Sequence, residues 1–373
     1  MLKAFKYKIL PSEEQSILLS KHFGCVRFVY NRFLGERVRE YKENKLTSTY
    51  NKDSAALTQM KKLEEYEWLR EINSQTLQHS LKCLELSYAN FFKKRAAFPN
   101  FKSKHDKNSF CVPQYVKVID GHLHIPKFKD GIKIIYHREL KGTIKQCTIS
   151  RTATGEFFVS ILVDTEHIIK EKTGKSVGVD LGIKDFAITS DGFNYKNNRY
   201  TKTYEKELKK QQKYLSRKTK GSNRYNKQKL KVARIHKKIA NSRKDNLHKI
   251  SSDLISKYDT IVLETLNVKG MVKNRKLSKH ISDASWGTFV SMLKYKAEWN
   301  QKEVVQINRW FPSSKSCNCC GYVNKNLTLN IREWKCPSCN TILDRDFNAA
   351  KNILTEGQKI NRQELTITDA ETK

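Results

Sequence analysis

No run of eighteen apolar residues occurs in the 373-residue chain, which excludes a helix long enough to cross a membrane. The first ten residues, MLKAFKYKIL, are broken by lysine too often to build the apolar region of a secretion signal, so a cytoplasmic protein is expected. Acidic charge is scarce. Asp and Glu number 38 against 72 Lys and Arg, a formal net charge of +34. So large an excess repels itself unless a polyanion neutralises it, and nucleic acid is the natural candidate. A lipid surface is polyanionic too, but the chain has no strongly amphipathic basic helix with bulky apolar anchors, so no membrane partner is expected. Positions 201–250 hold 18 basic against 3 acidic residues. That density favours phosphate contact over a merely solvated face, with Lys209, Lys210, Lys213 and Arg217 as candidates.

Cysteine is abundant in one place. Five of the nine fall within residues 317–339, while Cys25, Cys83, Cys111 and Cys147 are dispersed and suit a reducing compartment. Cys317-x-x-Cys320 and Cys336-x-x-Cys339 are separated by fifteen residues. Two such knuckles complete a tetrahedral set of four thiolates, which suits Zn2+. Cys319 lies between the first pair and could replace a neighbour, although Gly321 after Cys320 keeps the usual knuckle geometry. A closed four-cysteine shell leaves no position for water or substrate, so this zinc is expected to be structural.

The length allows two or three domains. Residues 2–10 read as a strand, and Ser12 with Gln15 as a capping box that opens a helical region. Val26, Val29, Tyr30, Phe33 and Leu34, and later Leu77, Leu81, Leu84, Tyr88 and Phe91, recur at helical spacing. From about Phe98 short strands take over, with a hairpin turning at Asp120-Gly121 and strands expected at 131–136, 144–151 and 156–164. The strand at 2–10 could join them, making the helices an insertion into a small β-barrel. Val177-Gly-Val-Asp-Leu-Gly182 reads as a buried strand centred on Asp180, whose flanking glycines let other backbone approach. Basic helices follow over 203–257, broken near Gly221-Ser222; then come a strand ending at Glu264, a helix over 283–301 and a strand at 304–307. A last helix is expected from about Asp346, with a frayed polar tail from Thr355 onward.

A lone carboxylate in an apolar strand is costly unless it binds a cation. Asp180 in one strand, Glu264 at the end of another and Asp346 at a helix start match the order of acids in the RNase H-like α/β fold. Such a cluster suits Mg2+, which prefers oxygen ligands. Two ions about 4 Å apart can activate water and stabilise the leaving 3′-oxygen of a phosphodiester. Asp344 competes with Asp346 as third ligand, and either can serve instead as a helix cap.

VGVDLG around Asp180, IVLETLNVKGM around Glu264, RWFPSSKSCNCCG at 309–321 and CPSC with LDRDFNAAKNIL up to Leu354 resemble the TnpB family, transposon-encoded RNA-guided DNA endonucleases regarded as ancestral to type V CRISPR effectors. The resemblance covers essentially the whole chain. It implies an α/β and α+β multidomain protein: a wedge-type β-barrel (1–10 and 96–175), an inserted helical recognition domain (11–95), an RNase H-like (RuvC) nuclease domain (176–312 and 344–354) and an inserted zinc ribbon (313–343), with the tail at 355–373. The family's catalytic, Mg2+-holding carboxylates fall on Asp180, Glu264 and Asp346, and its zinc ligands on Cys317, Cys320, Cys336 and Cys339. Guide RNA and double-stranded target DNA are the implied partners, with nucleoid association when bound to DNA. Pairing by a guide accounts for ample phosphate-binding charge beside little base-reading signature. By the same resemblance, the target-adjacent motif would be read by Tyr50, Ser54, Asn73 and Gln78. Two alternatives are a guide-dependent DNA-binding regulator without cleavage and an RNase H-like transposase.

Overall fold

A computed structural model describes every residue except 168, 170, 329, 372 and 373, and the backbone alone over 362–371; the chain divides into two units, Met1–Glu166 and His167–Lys373.

In the first unit, β1 (Leu2–Leu10) alternates so that Phe5, Tyr7 and Ile9 point inward. The capping box then starts α1 (Glu13–Asn44): Ser12 Oγ accepts from the Gln15 amide at 3.2 Å, and Gln15 Oε1 accepts from the Ser12 amide at 3.0 Å. After α2 (Tyr50–Met60), a 3-10 segment (Glu64–Glu71) and α3 (Ser74–Phe92), the chain returns to strands β2 (Asn108–Val112), β3 (Lys117–Ile119), β4 (His122–His124), β5 (Ile132–Ile135), β6 (Thr143–Arg151) and β7 (Phe157–Asp164). Asp120 and Gly121 turn the β3–β4 hairpin with φ of 47° and 72°, the paired positive values that a two-residue hairpin of this hand requires. The seven strands are antiparallel in the order β2-β6-β7-β1-β5-β4-β3. Among the described residues no ladder joins β2 to β3, so the sheet stays open where the sequence suggests a closed barrel. Leu19, Phe23 and Leu34 of α1 and Leu77 and Leu81 of α3 share one core with Tyr7, Val159 and Ile161 of the sheet. The inserted helices therefore have no separate core. Buried Arg37 of α1 ties them together, donating to Asp53 of α2 and Glu85 of α3, both at 2.8 Å.

The second unit runs β8 (Ser176–Leu181), β9 (Asp185–Thr189), β10 (Asn194–Lys196), α4 (Tyr200–Thr203), α5 (Glu205–Ser216), α6 (Asn223–Lys257), β11 (Thr260–Glu264), α7 (Val268–Met271), α8 (Ser278–Ala284), α9 (Trp286–Trp299) and β12 (Glu303–Ile307). The ribbon strands β13 (Glu333–Lys335) and β14 (Ile342–Asp344) precede α10 (Arg345–Glu371). The five-stranded sheet has the order β10-β9-β8-β11-β12, in which β8, β11 and β12 are parallel, β9 pairs antiparallel with β8, and β10 pairs antiparallel with β9. Strand alternation sorts its faces. Val177, Val179, Ile261 and Leu263 enter a core with Leu254 of α6 and Phe289 and Leu293 of α9. The residues between them, Gly178, Asp180, Val262 and Glu264, face the other way, toward α10.

Helix α10 lies against that face because glycine lets it. A methyl on Gly178 would sit 2.1 Å from the Ala350 carbonyl oxygen and 2.6 Å from the Leu354 amide nitrogen, and one on Gly357 would sit 2.4 Å from Val262. Both obstacles to a larger residue at 178 are backbone, so the helix would have to shift. Gly178→Ala is expected to cost on the order of 3 kcal/mol by overpacking and to slow any reaction that needs Asp346 beside Asp180. Thermal unfolding of the variant checks the first, and an unchanged Tm would contradict the close approach. The helix continues past the point where a frayed tail is expected: Ile353 and Ile360 join a small core with Val262, Val305 and Ile307, and Asn361 donates to Glu303 at 2.7 Å. Positions 353, 357 and 360 share one helical face. That face is hard to see in the sequence because its middle member is a glycine.

Candidate functional site

Asp180 is the penultimate residue of β8 and Glu264 the last of the neighbouring parallel strand β11. The ladder pairs Val179 with Leu263, so the next residues, both acidic, stand side by side at the carboxyl end of the sheet on the face that receives α10. Asp346 lies in the first turn of that helix. The Asp180 carboxyl is pushed up to about 7, first by burial and then by the charges of Glu264 and Asp346, against a partial offset from Arg345 and Arg332. Burial also raises Glu264, and a hydrogen bond from the Ser313 hydroxyl holds it back. Arg332 donates to Asp346 at 2.7 Å.

Asp344 and Asp346 are placed differently. Asp344 Oδ1 accepts from the Phe347 amide at 2.8 Å, the work of a helix cap, while Asp346 stands in the field of Asp180. Ser313, Arg332 and Arg345 escape a reading of the sequence because none belongs to a spacing rule. Ser313 and Arg332 reach the acids through the tertiary fold, while Arg345 is the chain neighbour of Asp346. Two asparagines of the α10 motif are likewise structural: Asn352 Nδ2 donates to the carbonyls of Ser313 and Ser316 at 2.8 and 2.6 Å, and Asn348 Nδ2 to that of Ser316 at 2.7 Å. They clamp the segment that carries Ser313 to the helix that carries Asp346.

In the ribbon, the sulfurs of Cys317, Cys320, Cys336 and Cys339 all lie within 4.8 Å of one another. The pairs Cys317–Cys339 and Cys320–Cys336 are each 3.6 Å apart. Bonds of about 2.3 Å to a tetrahedral zinc place sulfurs about 3.8 Å apart, so the four residues fit that ion. Cys339 is held down to about 6 by the hydroxyl and backbone of Thr341, which readies it as a thiolate. Cys319 is exposed, hydrogen-bonds Asn318 and stands outside the cluster. Among the described residues no other group of His, Cys, Asp and Glu brings its donor atoms together as a metal site, so the three carboxylates are electrostatic neighbours rather than a closed ligand set.

The residues expected to touch nucleic acid lie on helices. Lys209, Lys210, Lys213 and Arg217 are exposed on or just after α5, with Lys209 also paired to Glu205 at 2.8 Å. Gln228 of α6 donates to Gln211, holding the two basic helices together. Tyr50 and Ser54 share a face at the start of α2, and Gln78 is half-buried on α3. Asn73 is spent differently: it is only 8% exposed, and its Oδ1 caps α3 by accepting from the Gln75 amide at 3.1 Å.

Comparison with known proteins agrees with this architecture. Families described as "Helix-turn-helix domain", "Probable transposase" and "Cas12f1-like, TNB domain" match residues 1–45, 160–275 and 286–353. Residues 1–45 fold as one strand and one long helix, so the first match conveys relatedness rather than helix-turn-helix geometry. The solved complex of Cas12f1 with sgRNA and target DNA is similar at a TM-score of 0.58 and 15% identity, over 92% of this chain and 83% of that one. That likeness defines the class by fold, an α/β multidomain protein of the Cas12f type. A provisionally named RNA-guided DNA endonuclease of Streptomyces pristinaespiralis is 41% identical over 95% of this chain and 89% of its own length. InsQ of Escherichia coli K12, provisionally named for the same activity, is 32% identical over 96% and 93%. The chain belongs to the TnpB family.

Proposed function

We propose that this protein is a transposon-associated RNA-guided endonuclease that cuts double-stranded DNA beside a short target-adjacent motif, with Asp180, Glu264 and Asp346 as the catalytic carboxylates. The observation that carries the reading is the gathering of three acids at the carboxyl end of one sheet, where burial and mutual repulsion lift Asp180 to about 7. Such an arrangement is unfavourable by itself and is relieved by a divalent cation. The strand order and the position of the acids support an RNase H-like (RuvC) domain. Asp180, Glu264 and Asp346 would hold Mg2+, and the ion would supply activation of water and stabilisation of the leaving 3′-oxygen. The chain's own groups orient the acids: the Ser313 hydroxyl holds Glu264, and Arg332 holds Asp346. A regulator that does not cut has no use for three crowded carboxylates.

The name of the Streptomyces relative and the net charge of +34 support guide RNA and target DNA as partners. A chain this basic retains RNA of some kind, so specificity is the test. Sequencing the RNA that copurifies is expected to return one dominant structured species ending in a variable segment. Changing that segment is expected to move the cut to a new matching site beside the same motif. Heterogeneous cellular RNA with cutting indifferent to an added guide would overturn the reading in favour of a non-specific nuclease or a transposase.

Phosphate contact along α5 makes a separate prediction. Replacing Lys209, Lys210, Lys213 and Arg217 by glutamine is expected to flatten the slope of log affinity against log salt by up to about 3.6, about 0.9 per lost phosphate contact, without changing sequence preference. An unaltered slope would place those charges in solvent.

A further inference from the structure

We propose that Trp310, backed by Arg309, is a stacking platform for an unpaired base of the DNA strand that enters the acid centre. The inference rests on the nuclease reading above and adds a substrate-contacting residue to it.

Trp310 is 77% exposed, more than any other large exposed hydrophobic side chain among the described residues. Single exposed hydrophobes are ordinary on protein surfaces. What distinguishes this one is how firmly its backbone is held and where. On one side β12 ends at Ile307, whose carbonyl accepts from the Thr265 hydroxyl at 2.8 Å, and Asn308 Oδ1 accepts from the Trp310 amide at 2.9 Å. On the other, Phe311 packs against the core of Val262, Val305, Ile307 and Ile353, and the Ser313 carbonyl accepts from Asn352. The same Ser313 donates its hydroxyl to Glu264. An indole is thus carried into solvent by a pinned loop whose next turn bonds one of the three acids. Folding alone gives no reason to spend so large an apolar side chain outside, when its neighbour Phe311 is drawn in.

The occupant follows from chemistry. Arg309 places its guanidinium over one face of the indole, 4.6 Å from the ring centroid, and so sets a cation behind a flat apolar surface whose other face is left for a base. Arg332 and Arg345 add positive charge around the acids. A planar apolar ring beside cations is complementary to a nucleobase and its phosphate, and it is tolerant of sequence because every base has a π-face. A base in a duplex has both faces covered, so the ligand must be unpaired. At an acid centre built to cut DNA, the unpaired strand is the one being cut. Guide RNA and a protein partner become outcomes of the test.

The test uses guide-loaded full-length protein and single-turnover cleavage of a matched DNA target. Trp310→Ala is expected to slow cleavage about fivefold or more, since base stacking of about 1–3 kcal/mol corresponds to roughly five- to 150-fold in rate. Trp310→Tyr should stay within about threefold of wild type, because tyrosine also offers a stacking face. Guide retention, target binding and zinc content should be unchanged. A structural role would not move a second readout: targets carrying one abasic nucleotide, stepped across the cut site. In wild type one position should slow cleavage as the alanine variant does, and in Trp310→Ala that same abasic nucleotide should cost nothing further. Cleavage by Trp310→Ala at the wild-type rate, strictly additive abasic effects at every position, or loss of guide RNA in place of loss of rate would each overturn the proposal. Should wild type itself cut no guided target, the nuclease reading falls first; wild-type cutting with an unaffected variant sinks the role of Trp310 alone.

Discussion

Asp180→Ala, Glu264→Ala and Asp346→Ala are each expected to reduce DNA cutting at least a thousandfold, the equivalent of about 4 kcal/mol of transition-state stabilisation. Binding of the guided target should persist, since removing an acid from a chain at +34 removes repulsion toward phosphate. Asp344→Ala is the internal control. It loses the cap on the Phe347 amide and should cost about 1 kcal/mol of stability while cutting continues. Cutting lost in Asp344→Ala and kept in Asp346→Ala would exchange the two assignments. The same site carries a pH signature in metal-free protein. Its folded Asp180 titrates at about 7 against 3.8 when unperturbed, so between those values the folded state holds a proton that the unfolded state has released. Stability is therefore lost as pH rises through that window. In chelator, Asp180→Asn should raise Tm more at pH 8 than at pH 4, and an equal change at both would contradict the burial of this carboxyl.

Cys336→Ser is expected to yield protein that is insoluble or lacks a folded ribbon, rather than a folded and inactive enzyme. Structural zinc binding of about 10–16 kcal/mol exceeds what a small hydrophobic cluster supplies, and among the described residues the ribbon core is Leu327, Trp334 and Leu343 with the cysteines themselves. The damage should reach the acids, because the ribbon begins in the segment that Asn348 and Asn352 clamp and that presents Ser313 to Glu264. Elemental analysis is expected to find about one zinc per chain in wild type, and strong chelation should abolish cutting in a way that Mg2+ alone does not restore. Cys319→Ser should behave as wild type, as its sulfur stands outside the cluster. Soluble, active protein free of zinc would refute the structural role.

Features that depend on a few neighbouring residues were legible in the chain itself. The cysteine knuckles, the Ser12 capping box, the Asp120-Gly121 turn, the strand bearing Asp180 and the strand closing on Glu264 each follow from a spacing, a cap or a period of two, which act over one turn or one strand. Composition alone pointed to a polyanionic partner, because net charge needs no fold. The tertiary structure decided what those rules leave open. It set Cys320 rather than Cys319 in the sulfur cluster, gave Asp344 to a helix cap, left the first sheet open, spent Asn73 on capping α3 and carried α10 past Leu354 through a glycine that packs on Val262. Ser313 meets Glu264 and Arg332 meets Asp346 across 49 and 14 residues of chain, with α10 packed against Gly178. Which groups come together across such sequence distances is determined by which face of each element is buried and how closely two backbones approach, and no local pattern encodes either.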